Sequence, residues 1–199
     1  MPPRVITLNG CPGVGKTSLL NILKTKLINA YIIPEYIDVL PDAQTNLDNY
    51  LQGKLSAYQF QDYILDYYEE QAKELINSSY SFILVERSPI EGVEIFAKLD
   101  LNNHRMTKAE YDCLFERAKS MSFYPNPLLD NESITLYANH RTPEQLADLV
   151  EFYLLEGCRV FKLRAPLPVL KSRIHQRGRL CEIEHYTEDY LRTMIESYD

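Results

Sequence analysis

The segment Gly10–Thr17, with the sequence GCPGVGKT, matches the pattern G-x-x-x-x-G-K-[ST] at each of its fixed positions. It directly follows a short apolar run, Val5–Leu8, and it leads into Lys16–Asn29, where apolar residues recur at helical spacing. A strand, a glycine-rich turn and a helix in this order form a loop whose backbone N–H groups surround phosphate oxygens. The pattern therefore predicts that the chain binds a nucleoside triphosphate.

The residue types within this phosphate-binding loop (P-loop) predict individual roles. Lys16 is expected to reach the β- and γ-phosphates, and the Thr17 hydroxyl is expected to ligate the Mg²⁺ that accompanies ATP. The residues expected to hold ATP at the loop are Gly10, Gly13, Val14, Gly15, Lys16, Thr17 and Ser18.

Length and charge exclude several classes of protein. The chain has 199 residues, 21 Lys and Arg against 28 Asp and Glu, and a formal net charge of −7. This length predicts a single domain over residues 1–199. The acidic balance argues against partners that are nucleic acids or membranes, since proteins that bind such polyanionic surfaces are usually basic.

The termini and the cysteines predict a cellular setting. The sequence contains no run of 18 apolar residues and no apolar stretch after Met1, so neither a membrane span nor a secretory signal is expected. The four cysteines are widely spaced and form no C-x-x-C pair. We therefore expect reduced thiols in a cytoplasmic protein.

Five short apolar runs predict β-strands, and helical patterns lie between them. The predicted strands are Val5–Leu8, Tyr31–Ile33, Ser81–Val85, Ser133–Ala138 and Cys158–Leu163. The predicted helices are Lys16–Asn29, Ser56–Asn77, a helix that begins with Ile90–Lys98, Lys108–Ser120, Pro143–Leu155, Pro166–Gln176 and Thr187–Ser197. The alternation predicts a three-layer α/β sandwich around a mostly parallel five-stranded sheet. Residues 99–106 are expected to form a polar loop, and Tyr124–Pro127 is expected to interrupt regular structure.

Two carboxylates follow predicted strands, at the sheet edge where α/β proteins bind ligands. Glu35 comes after the second strand and Glu86 ends the third, and we expect both strands to flank the first. A carboxylate at this edge accepts a proton from an attacking hydroxyl or holds the water shell of Mg²⁺. We assign Glu86, with Thr17, to the metal.

Several further segments resemble the P-loop type of deoxynucleoside kinase, the family that includes thymidine, deoxycytidine and deoxyguanosine kinases. The segments are Glu86-Arg87-Ser88, Phe60-Gln61-Asp62-Tyr63, Leu163-Arg164-Ala165-Pro166 and the arginines Arg173, Arg177 and Arg179. Tyr50 and Phe96 stand at the offsets of the family's sugar-binding tyrosine and base-stacking aromatic residue. The resemblance implies a P-loop kinase fold with an arginine-rich lid, and transfer of a phosphoryl group from ATP to a deoxynucleoside 5′-hydroxyl.

The resemblance also implies roles for individual residues. Glu35 corresponds to the general base, and Lys16 and Arg87 complete the catalytic set. Arg173, Arg177 and Arg179 belong to the ATP side. The residues implied to contact the nucleoside are Glu35, Tyr50, Gln61, Ile64, Tyr68, Arg87, Gly92, Phe96 and Glu182. Family members are commonly dimers, so a homodimer is expected, with the aromatic helix 56–77 as a candidate interface.

The chain departs from the family pattern in ways that leave two placements of the lid open. Tyr36 stands where the family commonly has proline, and an additional strand and helix, Ser133–Leu155, precede the lid segment. Either residues 173–182 form the lid and Ser133–Ala138 is a reordered fifth strand, or the lid lies near Arg141. We favour the first placement, because its match is longer.

Two positions bear on the choice of base. Gly92 and Tyr68 stand where relatives that take deoxycytidine or purines tend to carry an acid and an arginine. The sequence therefore favours thymidine, or a broad pyrimidine preference. The alternatives are a thymidylate kinase-like nucleoside monophosphate kinase, for which Arg87 would bind the acceptor phosphate, and a non-catalytic module that binds nucleoside triphosphates.

Overall fold

The computed structural model of the chain describes residues 2–126 and 133–198. Its strands are β1 Arg4–Asn9, β2 Ala30–Ile33, β3 Phe82–Glu86, β4 Ser133–Tyr137 and β5 Val160–Arg164. Its helices are α1 Lys16–Lys26, α2 Tyr36–Val39, α3 Ala43–Leu51, α4 Ala57–Leu75, α5 Pro89–Gly92, α6 Lys98–Asn102, α7 Lys108–Ser120, α8 Pro143–Leu155, α9 Leu167–Arg177, α10 Leu180–His185 and α11 Glu188–Ser197. A π-helical turn, Val93–Ala97, joins α5 to α6.

In the described part of the chain the five strands form one sheet in the order β2-β3-β1-β5-β4, and every neighbouring pair is parallel. The predicted α/β class and five-stranded sheet are thus confirmed. The expectation that β2 and β3 both flank β1 was wrong, because β3 lies between β2 and β1. Glu35, which follows β2, is therefore separated from the P-loop strand β1 by the one intervening strand β3.

Helices pack on both faces of the sheet, because alternate strand residues point to opposite sides. On one face Ile6, Leu8 and Phe161 join α1, α8, α9 and α11 in the largest buried apolar cluster. On the other face Val5 packs in a cluster with Tyr67 of α4. This arrangement is the expected three-layer sandwich.

Local signals explain the helix boundaries that the sequence predicted well. The helices α4, α7 and α8 each begin with a capping box, in which Ser56, Thr107 and Thr142 accept a hydrogen bond from the backbone N–H three residues later. The helix α1 ends at Lys26, earlier than predicted, and Asn29 beyond it adopts a left-handed backbone conformation with φ of 57°.

The short helices α2, α3 and α10 were not predicted, and the loop predicted over residues 99–106 was partly wrong. The helix α6 continues to Asn102, because Leu99 and Asp100 are buried although the segment reads as polar. The predicted break at Tyr124–Pro127 extends to Pro127, which lies outside the described residues. None of the described helices combines the length and apolar character that crossing a bilayer requires.

The packing of α1 against the sheet predicts a stability contrast between two apolar residues. Leu23 is fully buried, whereas Ile28 just beyond the helix is 84% exposed. Leu23→Ala is expected to lower the free energy of unfolding by about 3 kcal/mol, because it leaves a cavity in the core. Ile28→Ala, the matched control, is expected to change it by no more than about 0.5 kcal/mol. Denaturant unfolding followed by circular dichroism measures both, and equal losses would contradict this packing.

Candidate active site

The P-loop joins β1 to α1 and holds Lys16 in a buried position. The ammonium Nζ of Lys16 donates hydrogen bonds to the backbone oxygens of Gly10, at 2.8 Å, and Cys11, at 3.0 Å. It also forms an ion pair with Glu86 Oε1 at 3.3 Å. Burial lowers the pKa of Lys16, as does the Arg87 guanidinium, whereas Glu86 opposes this shift. The cation therefore lies at the contact between the P-loop and the end of β3.

Position 10 requires a glycine because its backbone closely approaches a neighbouring strand. Its backbone has φ of 136°, and a Cβ atom there would lie 2.4 Å from the backbone oxygen of Leu163 on β5. The other side of the loop is held by Arg173 of α9, which donates to the backbone oxygen of Val14 at 2.8 Å. The loop is thus fixed between β5 and α9.

A groove of about 380 Å³ runs along the P-loop. The residues predicted to hold ATP that line it are Gly13, Val14, Gly15, Lys16, Thr17, Ser18, Arg173 and Arg177. Gly10 does not line the groove but supplies a backbone acceptor to Lys16. Glu86 also lines it, together with Arg141, which follows β4.

Both candidate lid segments bring an arginine close to the P-loop. Because β5 pairs with β1 and leads into α9, Arg173 donates a hydrogen bond to the P-loop. The strand β4 occupies the sheet edge beyond β5. Arg141 nevertheless lines the same groove, so both segments approach the phosphate site.

A second, adjoining pocket of about 110 Å³ collects the residues predicted for the nucleoside. Its lining includes Glu35, Tyr50, Gln61, Ile64, Tyr68, Arg87, Gly92, Phe96 and Glu182, which is the complete predicted set. Arg179, predicted for the ATP side, lines this pocket and not the P-loop groove. Glu86 and Arg177 line both, so the two spaces meet at these side chains.

Carboxylates and cations cluster where the two spaces meet. Arg87 Nη1 lies 3.4 Å from Glu35 Oε1 and 3.9 Å from Glu86 Oε1. The Thr17 hydroxyl donates to Glu86 Oε2 at 2.9 Å. The backbone of Arg87 is left-handed, with φ of 66°, and its guanidinium lies over the Phe96 ring at 5.3 Å from the centroid. A strained non-glycine conformation of this kind is frequent at functional sites.

The two carboxyl groups have opposite pKa shifts. Burial, followed by the neighbouring Glu86 carboxylate, raises the pKa of Glu35 to about 7, although Arg87 and Lys16 oppose the rise. For Glu86, burial alone would raise the pKa, but Lys16, hydrogen bonding with Glu35 and Arg87 lower it below the usual range. Glu86 is therefore the ionised member of the pair, and Glu35 is the member suited to accept a proton near neutral pH.

Arginines of the predicted lid segment 173–182 pair with carboxylates that line the second pocket. Arg177 and Arg179 both form ion pairs with Glu182, and Arg179 Nη1 lies 3.4 Å from Glu182 Oε1. Arg179 also lies 3.5 Å from Glu35 Oε2 and 2.9 Å from Asp38 Oδ1. Arg179 therefore links the predicted lid segment to the residues that follow β2.

The site offers oxygen ligands that suit Mg²⁺. Mg²⁺ keeps several waters and is usually held by one or two carboxylates together with substrate phosphates. The ionised Glu86 and the Thr17 hydroxyl, 2.9 Å apart, fit this requirement beside the phosphate groove. The described residues contain no group of three His, Cys, Asp or Glu side chains that would hold a metal unaided.

Sequence reasoning missed part of the pocket wall. The residues without a predicted role that line the nucleoside pocket are Pro12, Tyr36, Ile37, Leu47, Leu51, Phe60, Tyr186 and Tyr190. Tyr36, a departure from the family pattern, packs edge-on against Phe60 with ring centroids 6.1 Å apart. Tyr186 and Tyr190 belong to the C-terminal helical region, where only long-range packing brings them to the pocket. Among the cysteines, Cys11, Cys113 and Cys158 are thiols, and the side chain of Cys181 lies outside the description.

The fold and the site define a P-loop phosphotransferase. The sequence profile described as "Deoxynucleoside kinase" matches residues 6–149. This match covers well over half of the chain, and the chain belongs to the deoxynucleoside kinase family of phosphotransferases. This assignment confirms the predicted family and the predicted class of enzyme. No curated protein matches the chain in sequence.

Solved structures with the same fold include deoxyadenosine kinase from M. mycoides in several complexes. The complex with dATP has a TM-score of 0.61 and 20% identity, and the match covers 98% of this chain and 81% of that one. The complex with the products dCMP and a flexible dCDP has a TM-score of 0.65 and 18% identity, with the same coverage. At this level of identity the likeness establishes the fold.

The contact between Gly10 and β5 predicts a contrast between two glycines. In Gly10→Ala the added methyl meets the backbone of Leu163, so β5 or the loop must shift, at a cost of about 2 kcal/mol or more. The ATP affinity is expected to fall at least about tenfold, because the backbone N–H groups lose their arrangement.

Gly53 supplies the matched control, because it also has a positive φ but no atom within 4 Å of an added Cβ. Gly53→Ala is expected to cost about 1 kcal/mol of stability and to leave ATP binding unchanged. Chemical unfolding and calorimetric titration with a non-hydrolysable ATP analogue measure the two effects. Unaltered nucleotide affinity in Gly10→Ala would contradict the role of the loop.

Proposed function

We propose that this kinase transfers the γ-phosphoryl group of ATP to the 5′-hydroxyl of a deoxynucleoside, with thymidine preferred. The observation that supports this proposal most directly is that two pockets adjoin each other at Glu86 and Arg177. The P-loop lines one pocket, and the residues predicted to bind the nucleoside line the other. An attacking hydroxyl held at this contact would face the terminal phosphate, as in-line transfer requires.

In this proposal Glu35 is the general base. The nucleoside 5′-oxygen forms a bond to the γ-phosphorus, the bond from that phosphorus to the β–γ bridging oxygen breaks, and Glu35 takes the hydroxyl proton. The products are a deoxynucleoside 5′-monophosphate and ADP. Arg87, held 3.4 Å from Glu35, orients the carboxylate, and Lys16 neutralises charge on the phosphates.

We assign the metal ligands to Thr17 and Glu86. The bound Mg²⁺ would neutralise charge on the ATP phosphates. The low pKa of Glu86 keeps its carboxylate ionised and able to ligate a hard cation at neutral pH.

The lid arginines are proposed to close the site. Arg173 already contacts the P-loop, whereas Arg177 and Arg179 pair with carboxylates at the pocket. When ATP binds, its phosphates supply stronger partners for these guanidinium groups than the carboxylates do. Closure would exclude water from the terminal phosphate and limit ATP hydrolysis.

The lining of the second pocket supports a preference for thymine. Gly92 and Tyr68 line it at the positions where relatives that take deoxycytidine or purines tend to carry an acid and an arginine. Gln61 is buried and both donates and accepts hydrogen bonds, as the N3–H and O4 groups of thymine require. The similar M. mycoides structures hold dATP and dCMP, which makes purines and cytosine the relevant competitors.

The homodimer implied by the resemblance stays a prediction.

The assignment of Glu35 as the general base predicts how Glu35→Gln behaves. The amide keeps the size of the side chain but cannot accept the proton, so kcat for thymidine is expected to fall about a hundredfold or more. The dissociation constant for thymidine is expected to change by less than about threefold, because the shape of the pocket is retained. A coupled ADP-release assay and calorimetric titration measure the two quantities.

Glu144→Gln serves as the control for Glu35→Gln, because Glu144 is an exposed carboxylate in the first turn of α8. It should leave kcat unchanged. Normal turnover in Glu35→Gln would refute its role as the base, whereas a loss confined to thymidine affinity would reassign Glu35 to substrate binding.

The pocket predicts an order among nucleosides. With Mg-ATP, kcat/KM is expected to be highest for thymidine and lower for deoxycytidine, deoxyadenosine and deoxyguanosine, because Gly92 and Tyr68 supply neither the acid nor the arginine that relatives taking those nucleosides tend to carry. Quantifying monophosphate products by chromatography over a common concentration range tests this order. Turnover of purine nucleosides alone would sink the thymidine assignment and leave the kinase assignment intact.

A further inference from the structure

The hydroxyl of Tyr50, the residue implied to face the sugar, is held by two side chains from one neighbouring segment. Tyr50 donates a hydrogen bond to both oxygens of Asp100, at 2.8 and 3.0 Å. Arg105 Nη2 donates to the Tyr50 hydroxyl oxygen at 3.0 Å. Asp100 and Arg105 lie in the segment for which the sequence predicted a polar loop, and neither carries a predicted role.

The tyrosine ring is fixed as firmly as its hydroxyl. It stacks on Phe60 with centroids 4.5 Å apart and planes at 8°, and the Arg105 guanidinium lies 5.2 Å from its centroid. The ring therefore has little freedom to turn when a ligand enters the nucleoside pocket, which Tyr50 and Phe60 both line.

Asp100 is suited to keep its hydrogen bond from the Tyr50 hydroxyl when a ligand binds. It is fully buried, and Arg105 Nη2 lies 2.5 Å from its Oδ1. Burial raises the pKa of Asp100, whereas the Arg105 cation and the Tyr50 hydroxyl lower it. A buried carboxylate that lost the Tyr50 donor would keep only part of its hydrogen bonding, so the bond is costly to break.

The hydrogen bonds that the Tyr50 hydroxyl already makes limit the positions that remain for a ligand. A phenol has one proton to donate and two acceptor positions. The proton is directed to Asp100 and one acceptor position is used by Arg105, so one acceptor position remains. A group that meets this hydroxyl in the pocket must therefore be a donor.

We propose that Asp100 and Arg105 are positioning residues that make Tyr50 an obligate acceptor, and thereby select nucleosides whose 3′ substituent donates a hydrogen bond. This inference rests on the proposed function, because it takes the ligand to be a deoxynucleoside with its sugar at Tyr50. The 3′-hydroxyl gives its proton to Tyr50. A 3′-deoxy sugar leaves the remaining acceptor position of Tyr50 desolvated and without a donor.

The test measures kcat/KM for thymidine and for 3′-deoxythymidine and takes their ratio. Asp100→Asn removes the carboxylate that orients the Tyr50 proton and pairs with Arg105, and it is expected to lower the ratio about tenfold. Tyr50→Phe is expected to lower it to a similar value, and the double variant to lower it no further, because Asp100 acts through Tyr50. Asp112→Asn, which removes an exposed carboxylate on α7, should leave the ratio unchanged.

A loss that is equal for both substrates in Asp100→Asn would show a merely structural role and overturn the proposal. Additive losses in the double variant would also overturn it. If Asp100→Asn does not fold, Arg105→Met tests the same arrangement at a side chain that is 41% exposed, with a smaller fall in the ratio expected. Wild-type protein that phosphorylates neither nucleoside would refute the proposed function, whereas an active wild type with unmoved ratios would refute this inference alone.

Discussion

The carboxylate of Glu86 occupies the junction between the P-loop and the central sheet, and the rest of the site is arranged around it. Lys16 lies 3.3 Å from one of its oxygens and Thr17 donates to the other at 2.9 Å. A buried carboxylate is tolerated only when it is paired and hydrogen-bonded, so these contacts constrain the start of α1 against the end of β3. The same contacts bring the cation and hydroxyl expected to bind phosphate and metal to the edge of the nucleoside pocket.

The parallel sheet makes this convergence possible. The strands β2 and β3 end on the same side as β1, so Glu35, Glu86 and the P-loop meet although they are distant in sequence. The pKa values of these two carboxyl groups move in opposite directions. Burial and the neighbouring Glu86 carboxylate raise the pKa of Glu35, whereas the cations near Glu86 lower its pKa and keep it ionised. Two acids of similar intrinsic chemistry thus become suited to different roles.

Features determined by local sequence could be predicted, and features determined by distant packing could not. The P-loop, the alternation of strands and helices, and the strand-end positions of Glu35 and Glu86 follow from patterns within a few residues. Tyr50 was found only through the family resemblance, because α3 is mostly polar and is held in place by the burial of Ala43 and Leu47. Asp100 reaches its position beside Tyr50 through tertiary contacts that the polar composition of its segment does not indicate. The order of β2 and β3 was also wrong, because strand alternation does not determine which strands are neighbours.

The most direct test of the account is the position of the nucleoside 5′-oxygen in a crystal structure of the chain with thymidine, Mg²⁺ and a non-hydrolysable ATP analogue. The account predicts this oxygen within about 3.2 Å of a Glu35 carboxylate oxygen, the distance of an ordinary hydrogen bond, and facing the γ-phosphate. It also predicts Glu86 and Thr17 beside the metal. A nucleoside bound with its 5′-oxygen away from Glu35, or phosphates outside the P-loop, would contradict the central claim.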